Sequence, residues 1–275
     1  MALDDADTRG LPRYTHGHEV ATLASHGTRT AANSCAYLLP VLEPGMSLLD
    51  VGCGPGTITL DLAQLVAPGQ VVGLENVEAP LISARSRAKE RGDTLTRFEV
   101  GDALHLPFED DTFDVVHAHQ VLQHLPDPVL ALQEMARVCR AGGWVAVRDA
   151  DYAAMAWHPA SPELEEWRTL YRAVARANDA EPDAARHLRA WALAAALHEV
   201  SFTATAWNYA DAETCQWWGE SQAVRYGGQT FTEQAARQGA TAESLDRIVA
   251  GWRAWGGAPD AWFMIPNGEL LARIT

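Results

Sequence analysis

The densest chemical signal in the chain is the stretch Ser47-Leu48-Leu49-Asp50-Val51-Gly52-Cys53-Gly54-Pro55-Gly56-Thr57. Gly52, Gly54 and Gly56 alternate behind an acid. Glycine lets a backbone turn with positive φ and lets a ligand approach it closely. A dinucleotide fingerprint would place its third glycine at position 57, where this chain has Thr57. Two further acids follow apolar runs: Glu75, twenty-three residues after Gly52, and Asp102. An acid about 20 residues past a first glycine is placed to accept both hydrogen bonds of a ribose diol. Either acid alone could be a solvated strand end, but their order after the glycine loop argues for a nucleotide site. His117, His119 and His124 form a third group. Histidine ionises near neutrality and suits general-base work. No nearby acid completes a metal ligand set around them, so no metal is expected.

These residues need elements to position them. Leu48, Leu49 and Val51 follow a Pro44-Gly45 turn and read as a buried strand of a parallel sheet. Ile58, Leu62, Leu65 and Val66 then have helical spacing. Further strands are predicted over 71–74, ending in Glu75; over 96–100, ending in Gly101-Asp102; and over 113–118, leading into His119-Gln120. Between the first two of these, a helix is predicted over about 79–91. Asp127 is an expected N-cap with Pro128 at the first helical position, and this helix should stop at Ala141-Gly142-Gly143. A fifth strand, Trp144–Arg148, ends in Asp149. In an open α/β sheet the ligand lies beyond the carboxyl ends of the strands. Glu75, Asp102, His119, Gln120 and Asp149 therefore converge on one edge. His117 lies deeper and is expected in the core. An apolar face from Thr30 to Leu42 predicts one more helix before the first strand.

Asp50-Val51-Gly52-Cys53-Gly54-Pro55-Gly56 has the form Asp-x-Gly-x-Gly-x-Gly. On this motif, the two acids and the segment Ala103-Leu104-His105-Leu106-Pro107-Phe108, residues 29–150 resemble class I S-adenosylmethionine (SAM)-dependent methyltransferases of the small-molecule, UbiE-like type. The resemblance implies an α/β fold: a Rossmann-like, seven-stranded, mostly parallel sheet with helices on both faces and a helical cap. It implies SAM as cofactor, bound by Asp50, Gly52, Gly54, Gly56 and Thr57, with Glu75 and Asn76 at the ribose. Asp102 and Ala103 would meet the adenine, and Arg29, His119 and Gln120 the remainder, Arg29 pairing with the cofactor carboxylate. Candidate acceptor-binding residues are Tyr14, His18, Gln120, Asp149, Tyr152 and Trp157. His124 is the candidate general base, with His119 nearer the cofactor. The Asn/Asp-Pro-Pro-Tyr/Phe motif of members that methylate nucleic-acid amines is absent after the fourth strand.

Composition narrows the partners. The 275 residues carry a formal net charge of −15, and Lys89 is the only lysine. An acidic surface without a basic run disfavours nucleic acid. No signal peptide or membrane-spanning stretch is read, and Cys35, Cys53, Cys139 and Cys215 lack CxxC spacing. These features fit a reduced cytoplasmic protein without structural zinc. The expected division is an N-terminal helical segment over 1–46, a SAM-binding core over 47–150, and cap insertions with the last strands over 151–275. Eight of the ten tryptophans lie between 150 and 258. Helices are expected there over 164–174, 183–198, 212–226, 231–239 and 242–255, with strands over 200–209 and from 262. Two or three tryptophans should wall an apolar pocket. The expected activity is methyl transfer from SAM to a small, partly apolar metabolite, with the acceptor atom and oligomeric state open. The rival readings are a SAM-retaining protein without methyl transfer, such as a cyclase or a binding module, and an NAD-dependent oxidoreductase.

Overall fold

The structure is a computed structural model and describes residues 29–275. Its sheet contains β1 (Leu48–Val51), β2 (Val71–Glu75), β3 (Thr96–Val100), β4 (Phe113–His119), β5 (Cys139–Ala150), β6 (Ala156–His158), β7 (Glu199–Tyr209) and β8 (Trp262–Arg273). The strand order runs β3-β2-β1-β4-β5-β8. The first five strands are mutually parallel. β8 is antiparallel to β5, β6 and β7. The helices are α1 (Ala31–Ser34), α2 (Thr57–Val66), α3 (Glu78–Arg91), α4 (Pro128–Val138), α5 (Pro162–Ala177), α6 (Leu188–Ala194), α7 (Ala212–Gly227), α8 (Gln229–Arg237) and α9 (Ala242–Gly256).

Alternation across the pleat explains the layers. Leu48 packs with Ile58, Leu62 and Val66 of α2, whereas Leu49 and Val51 join Leu132, Met135 and Val138 of α4 on the other face. Every residue of β1 is buried, as a central parallel strand covered on both faces requires. Asp127 caps α4, its carboxylate accepting from the Leu130 amide at 2.9 Å. The sheet reverses direction of growth between β2 and β4, on either side of β1. That reversal opens a crevice at the carboxyl ends of β1 and β4.

Several elements differ from the sequence reading. The helix expected over 30–42 is one turn, α1, plus a 3-10 turn over Leu39–Val41. Pro40 lacks the N–H that a continuous helix would need there. Leu38 and Cys35 are nonetheless fully buried, which accounts for the apolar periodicity. α4 stops at Val138, short of the glycines. Gly142 instead makes a turn at φ +78° inside the entry of β5, where Phe113 pairs with Cys139 and Val115 with Trp144. Its amide donates to the Ile274 carbonyl at 2.7 Å. The helix expected over 183–198 is divided into a 3-10 turn, Ala184–Arg186, and α6. The three-residue β6 is an eighth strand that the sequence did not announce.

The cap joins α5, α7, α8 and α9 around an aromatic core. Trp167 and Trp252 meet edge to face with centroids 4.8 Å apart, and Trp252 lies 5.4 Å from Phe263 of β8. β8 thereby ties the cap to the sheet. Because β5 and β7 are both antiparallel to β8, they are parallel to each other. Both insertions therefore leave from the same carboxyl edge.

Candidate active site

The glycine loop follows directly from β1. Gly52, Gly54 and Gly56 have φ of +67°, +53° and +76°, a region that L side chains avoid. A Cβ on Gly52 would lie 2.4 Å from Val121 Cγ2, and one on Gly56 2.9 Å from Ala84 Cβ. A Cβ on Gly54 would meet nothing within 4 Å. Gly52 and Gly56 therefore serve packing, and Gly54 presents the open side of a cradle. Thr57 begins α2 and is buried.

Beneath this loop is a buried chain of four side chains. His117 Nδ1 lies 2.7 Å from Asp50 Oδ1, and His117 Nε2 lies 3.3 Å from Cys35 Sγ. Thr59 Oγ1 donates to Asp50 Oδ2 at 2.6 Å. Burial opposes protonation of His117, but Cys35 and Asp50 outweigh it and push the imidazole up to about 10. Asp50 differs here from its expected role. Both its oxygens are engaged inside the protein, so it supports the loop from below instead of facing a cofactor. His117 is the core histidine expected from its depth.

Glu75 and Asp102 stand at the ends of β2 and beyond β3. Glu75 accepts from the Gly54 amide at 3.0 Å and the Asn76 amide at 2.9 Å. Burial pushes its carboxyl up, against these two bonds. Each oxygen keeps a lone-pair direction for a hydroxyl. Asp102 accepts from the Leu104 amide at 2.9 Å, and its side chain is 46% exposed, with half-buried Ala103 beside it. The glycine cradle, Glu75 and Asp102 are thus brought to one edge.

The exit of β4 supplies the next group. Gln120 has φ +54°. It accepts from the Arg29 guanidinium at 2.8 Å and donates to Asn267 at 3.2 Å. Arg29 lies 5.2 Å from the Trp207 ring centroid, and Arg148 lies 4.6 Å from it. Arg148 is itself buried in an ion pair with Glu269 at 3.1 Å. His119 is buried with its ring 5.5 Å from Trp207. His124 ends a 3-10 turn, and its Nε2 lies 3.0 Å from Gln123 Nε2. The Gln123 oxygen accepts from the Ala150 amide at 3.1 Å, so its nitrogen is the donor to His124 and the ring proton sits on Nδ1. Burial, then Arg29 and Arg225, lower His124 to about 3 and keep it neutral.

A cavity of about 450 Å³ lies between this edge and the cap. Gln120 and His124 form its sheet side, and Tyr152, Met155 and Trp167 close it from the first insertion. Trp207 and Tyr209 at the end of β7, with Trp217 and Trp218 of α7, complete the aromatic walls. Gln222 and Arg225 add polar groups from the same helix. Four tryptophans reach it rather than two or three. Tyr152, a candidate acceptor-binding residue, lines the cavity and stacks on Tyr171 at 4.3 Å. Asp149 and Trp157 are not among the lining residues. Asp149 is fully buried behind Gln123, whose amide donates to it at 3.1 Å. Burial pushes its carboxyl up to about 8. Trp157 stacks on Phe263 at 5.7 Å and is covered by Arg168. Tyr14 and His18 lie outside the described residues. The sequence reading missed Trp207, Gln222 and Arg225. Trp218, Gln222, Arg225 and Tyr226 share one helical face, a mixed stripe that could have marked a cavity wall.

Among the described residues, no group of three or more His, Cys, Asp or Glu side chains is arranged to hold a metal ion. No described helix is long and apolar enough to cross a membrane.

An open sheet that reverses at a glycine loop, with an acid at the end of the next strand, defines an α/β enzyme of the nucleotide-cofactor type. Residues 42–220 match the family described as "Methyltransferase domain", and the chain belongs to the class I SAM-dependent methyltransferases. It is 32% identical over 272 residues to an uncharacterised methyltransferase of Schizosaccharomyces pombe, covering 94% of this chain and 95% of that one. It is 37% identical over 128 residues to the demethylmenaquinone methyltransferase of Lactococcus lactis, covering 46% and 48%. The YcgJ protein of Bacillus subtilis shares the fold at a TM-score of 0.57 and 19% identity, covering 89% of this chain and 99% of that one.

Proposed function

We propose that the protein binds SAM at the glycine cradle and transfers its methyl group to a small, partly apolar molecule held in the cap cavity. The observation that carries this reading is that one segment serves both places. Val121 packs on Gly52 of the loop, while Gln120 and His124, its neighbours, face the cavity. Similarity to a demethylmenaquinone methyltransferase supports a small-molecule acceptor.

The residues fit the cofactor. The open side of Gly54 admits its backbone-facing portion, Glu75 and Asn76 flank the diol position, and Asp102 with Ala103 flanks the adenine position. Arg29 and Gln120 suit the amino-acid end, with Thr57 and the His119 backbone alongside. When bound, SAM supplies a methyl group already activated on a sulfonium. The chain contributes placement and a dry wall. Fixing two reacting groups in line is worth about 7–11 kcal/mol of barrier. His124 presents a neutral imidazole to the acceptor. A general-base role requires its Nε2 to release Gln123; in the arrangement seen, it orients the acceptor as a donor.

Calorimetry with SAM, S-adenosylhomocysteine and NAD, followed by labelled-methyl transfer into a metabolite extract with mass readout, tests this. SAM binding and one labelled product are expected. Absence of SAM binding overturns the reading. Binding without transfer into any fraction would favour a SAM-retaining protein that does not methylate.

A further inference from the structure

The cavity carries a charge opposite to that of the molecule around it. The chain has a formal net charge of −15, yet no Asp or Glu is among the described residues that line the cavity, while Arg29 and Arg225 both are. Arg29 is engaged at the cofactor side, with Gln120 and over Trp207. Arg225 stands elsewhere. It is only 8% exposed, on the inward face of α7, one turn beyond Gln222. The positive field reaches four neighbours, among them Tyr226, where burial pushes the phenol up and Arg225 opposes it. Burial chiefly pushes the Tyr209 phenol up to about 12, and Arg29 and Arg225 pull against it. Burial raises Tyr152 too, and the same two arginines oppose it. They also help keep His124 neutral.

We propose that Arg225 recognises an anionic group on the methyl acceptor. The acceptor is then a ring-bearing organic acid, its planar body between the tryptophan and tyrosine walls and a carboxylate, phenolate or enolate oxygen against the guanidinium. This rests on the cap cavity being the acceptor site. A guanidinium presents a planar fork of donors that matches such oxygens, and aromatic walls match a flat conjugated body. The competing occupant is a cationic amine, which aromatic walls can also hold. Two guanidinium groups facing the same space oppose it, and the face of Trp207 is already covered by Arg29 and Arg148.

Three probes on one bicyclic frame test the assignment: naphthoate, naphthamide and naphthylmethylammonium, titrated by calorimetry into the intact protein with and without S-adenosylhomocysteine. Naphthoate is expected to bind about tenfold or more tighter than naphthamide, with the ammonium weakest. Arg225→Gln should erase the preference for naphthoate, bringing its affinity down to that of naphthamide. Arg225→Lys, which keeps the charge, should retain the preference, and it carries the test if the Gln variant fails to fold. The proposal is overturned if the ammonium binds tightest, if the acid preference survives Arg225→Gln, or if none of the probes binds. SAM titration is scored separately. Lost SAM binding with an intact acid preference defeats the methyltransfer reading alone, and intact SAM binding without acid preference defeats this inference alone.

Discussion

Asp50 and Glu75 are acids on neighbouring strands, and their surroundings give them different work. Asp50 is locked to Thr59 and His117, whereas Glu75 spends one bond on each of two amides and faces the crevice edge. Glu75→Ala and Asp102→Ala should each weaken SAM binding by about 1.5–3 kcal/mol, the worth of a hydrogen bond to a charged group. Unchanged calorimetric affinity in both variants would remove them from the cofactor site. For His124, turnover separates the two roles. His124→Asn keeps a donor and should retain more activity than His124→Ala, with SAM affinity near wild type in both. If Asn is as poor as Ala and raising the pH rescues both, His124 is the base. His117 predicts a stability profile. Its ordinary value is 6.5 and the fold raises it to about 10, so its contribution is complete below pH 6.5 and is lost as pH rises toward 10. Asp149, raised from 3.8 to about 8, also favours the fold at low pH and loses that contribution as pH rises to 8. Melting temperature should therefore fall on going from pH 7 to pH 10, and His117→Gln should flatten that slope; an equal slope in the variant would refute it. The glycines and the two acids were legible because their positions answer to backbone geometry and strand ends. Arg225 was not, because an arginine is by type an exposed residue, and only its spacing with Trp218, Gln222 and Tyr226 marks it as inward.

At the level of elements, local chemistry was a good guide where it fixes an end and a poor one where tertiary packing chooses. Asp127 and Pro128 announce α4, and the structure shows the cap bond to Leu130. Asp127→Ala should cost about 1 kcal/mol, within a range of roughly 0.5–2 kcal/mol, read as a lower urea midpoint at unchanged slope. A midpoint equal to wild type would show that Pro128 alone sets the helix start. The other end of α4 misled because two glycines suggest a helix stop, whereas the chain uses Gly142 to turn into β5 and bond to Ile274. The same limit applies over 30–42. Apolar spacing reports which residues are buried, and Cys35 and Leu38 are, but it does not report whether the backbone between them is helical. β6 is three residues of Ala, Trp and His held by pairing with β8, and no sequence pattern that short specifies a strand.

For the whole molecule, the packing separates a cap from a sheet and joins them through β8 and the ends of β5 and β7. The aromatic core around Trp167 and Trp252 reaches the sheet through Phe263 and Ile265 of β8. The sheet has its own cores on both faces, around α4 and around α2. The cavity lies between these bodies, bounded by sheet residues on one side and cap residues on the other. An acceptor held against Trp167, Trp217 and Trp218 is in contact with the cap as well as the sheet. α7 is the element whose protection should respond to that ligand, since it provides Trp217, Trp218, Gln222 and Arg225 while exposing Val224 and part of Trp217 outward. Elements that admit ligands come from the low-stability end of a fold. Hydrogen exchange should therefore show two stages. SAM alone should protect the amides of the glycine loop and the first turn of α2, where Gly54 and Thr57 stand. Protection of α7 and of the segment 150–156 should rise only when an acceptor or a naphthoate probe is added, because only that ligand bridges cap and sheet. The cap core at Trp252 should exchange slowly throughout, since its burial does not depend on the cavity being filled. Identical exchange in α7 with and without the second ligand would mean that the cap is rigid and that the acceptor enters along the sheet edge beside Arg29.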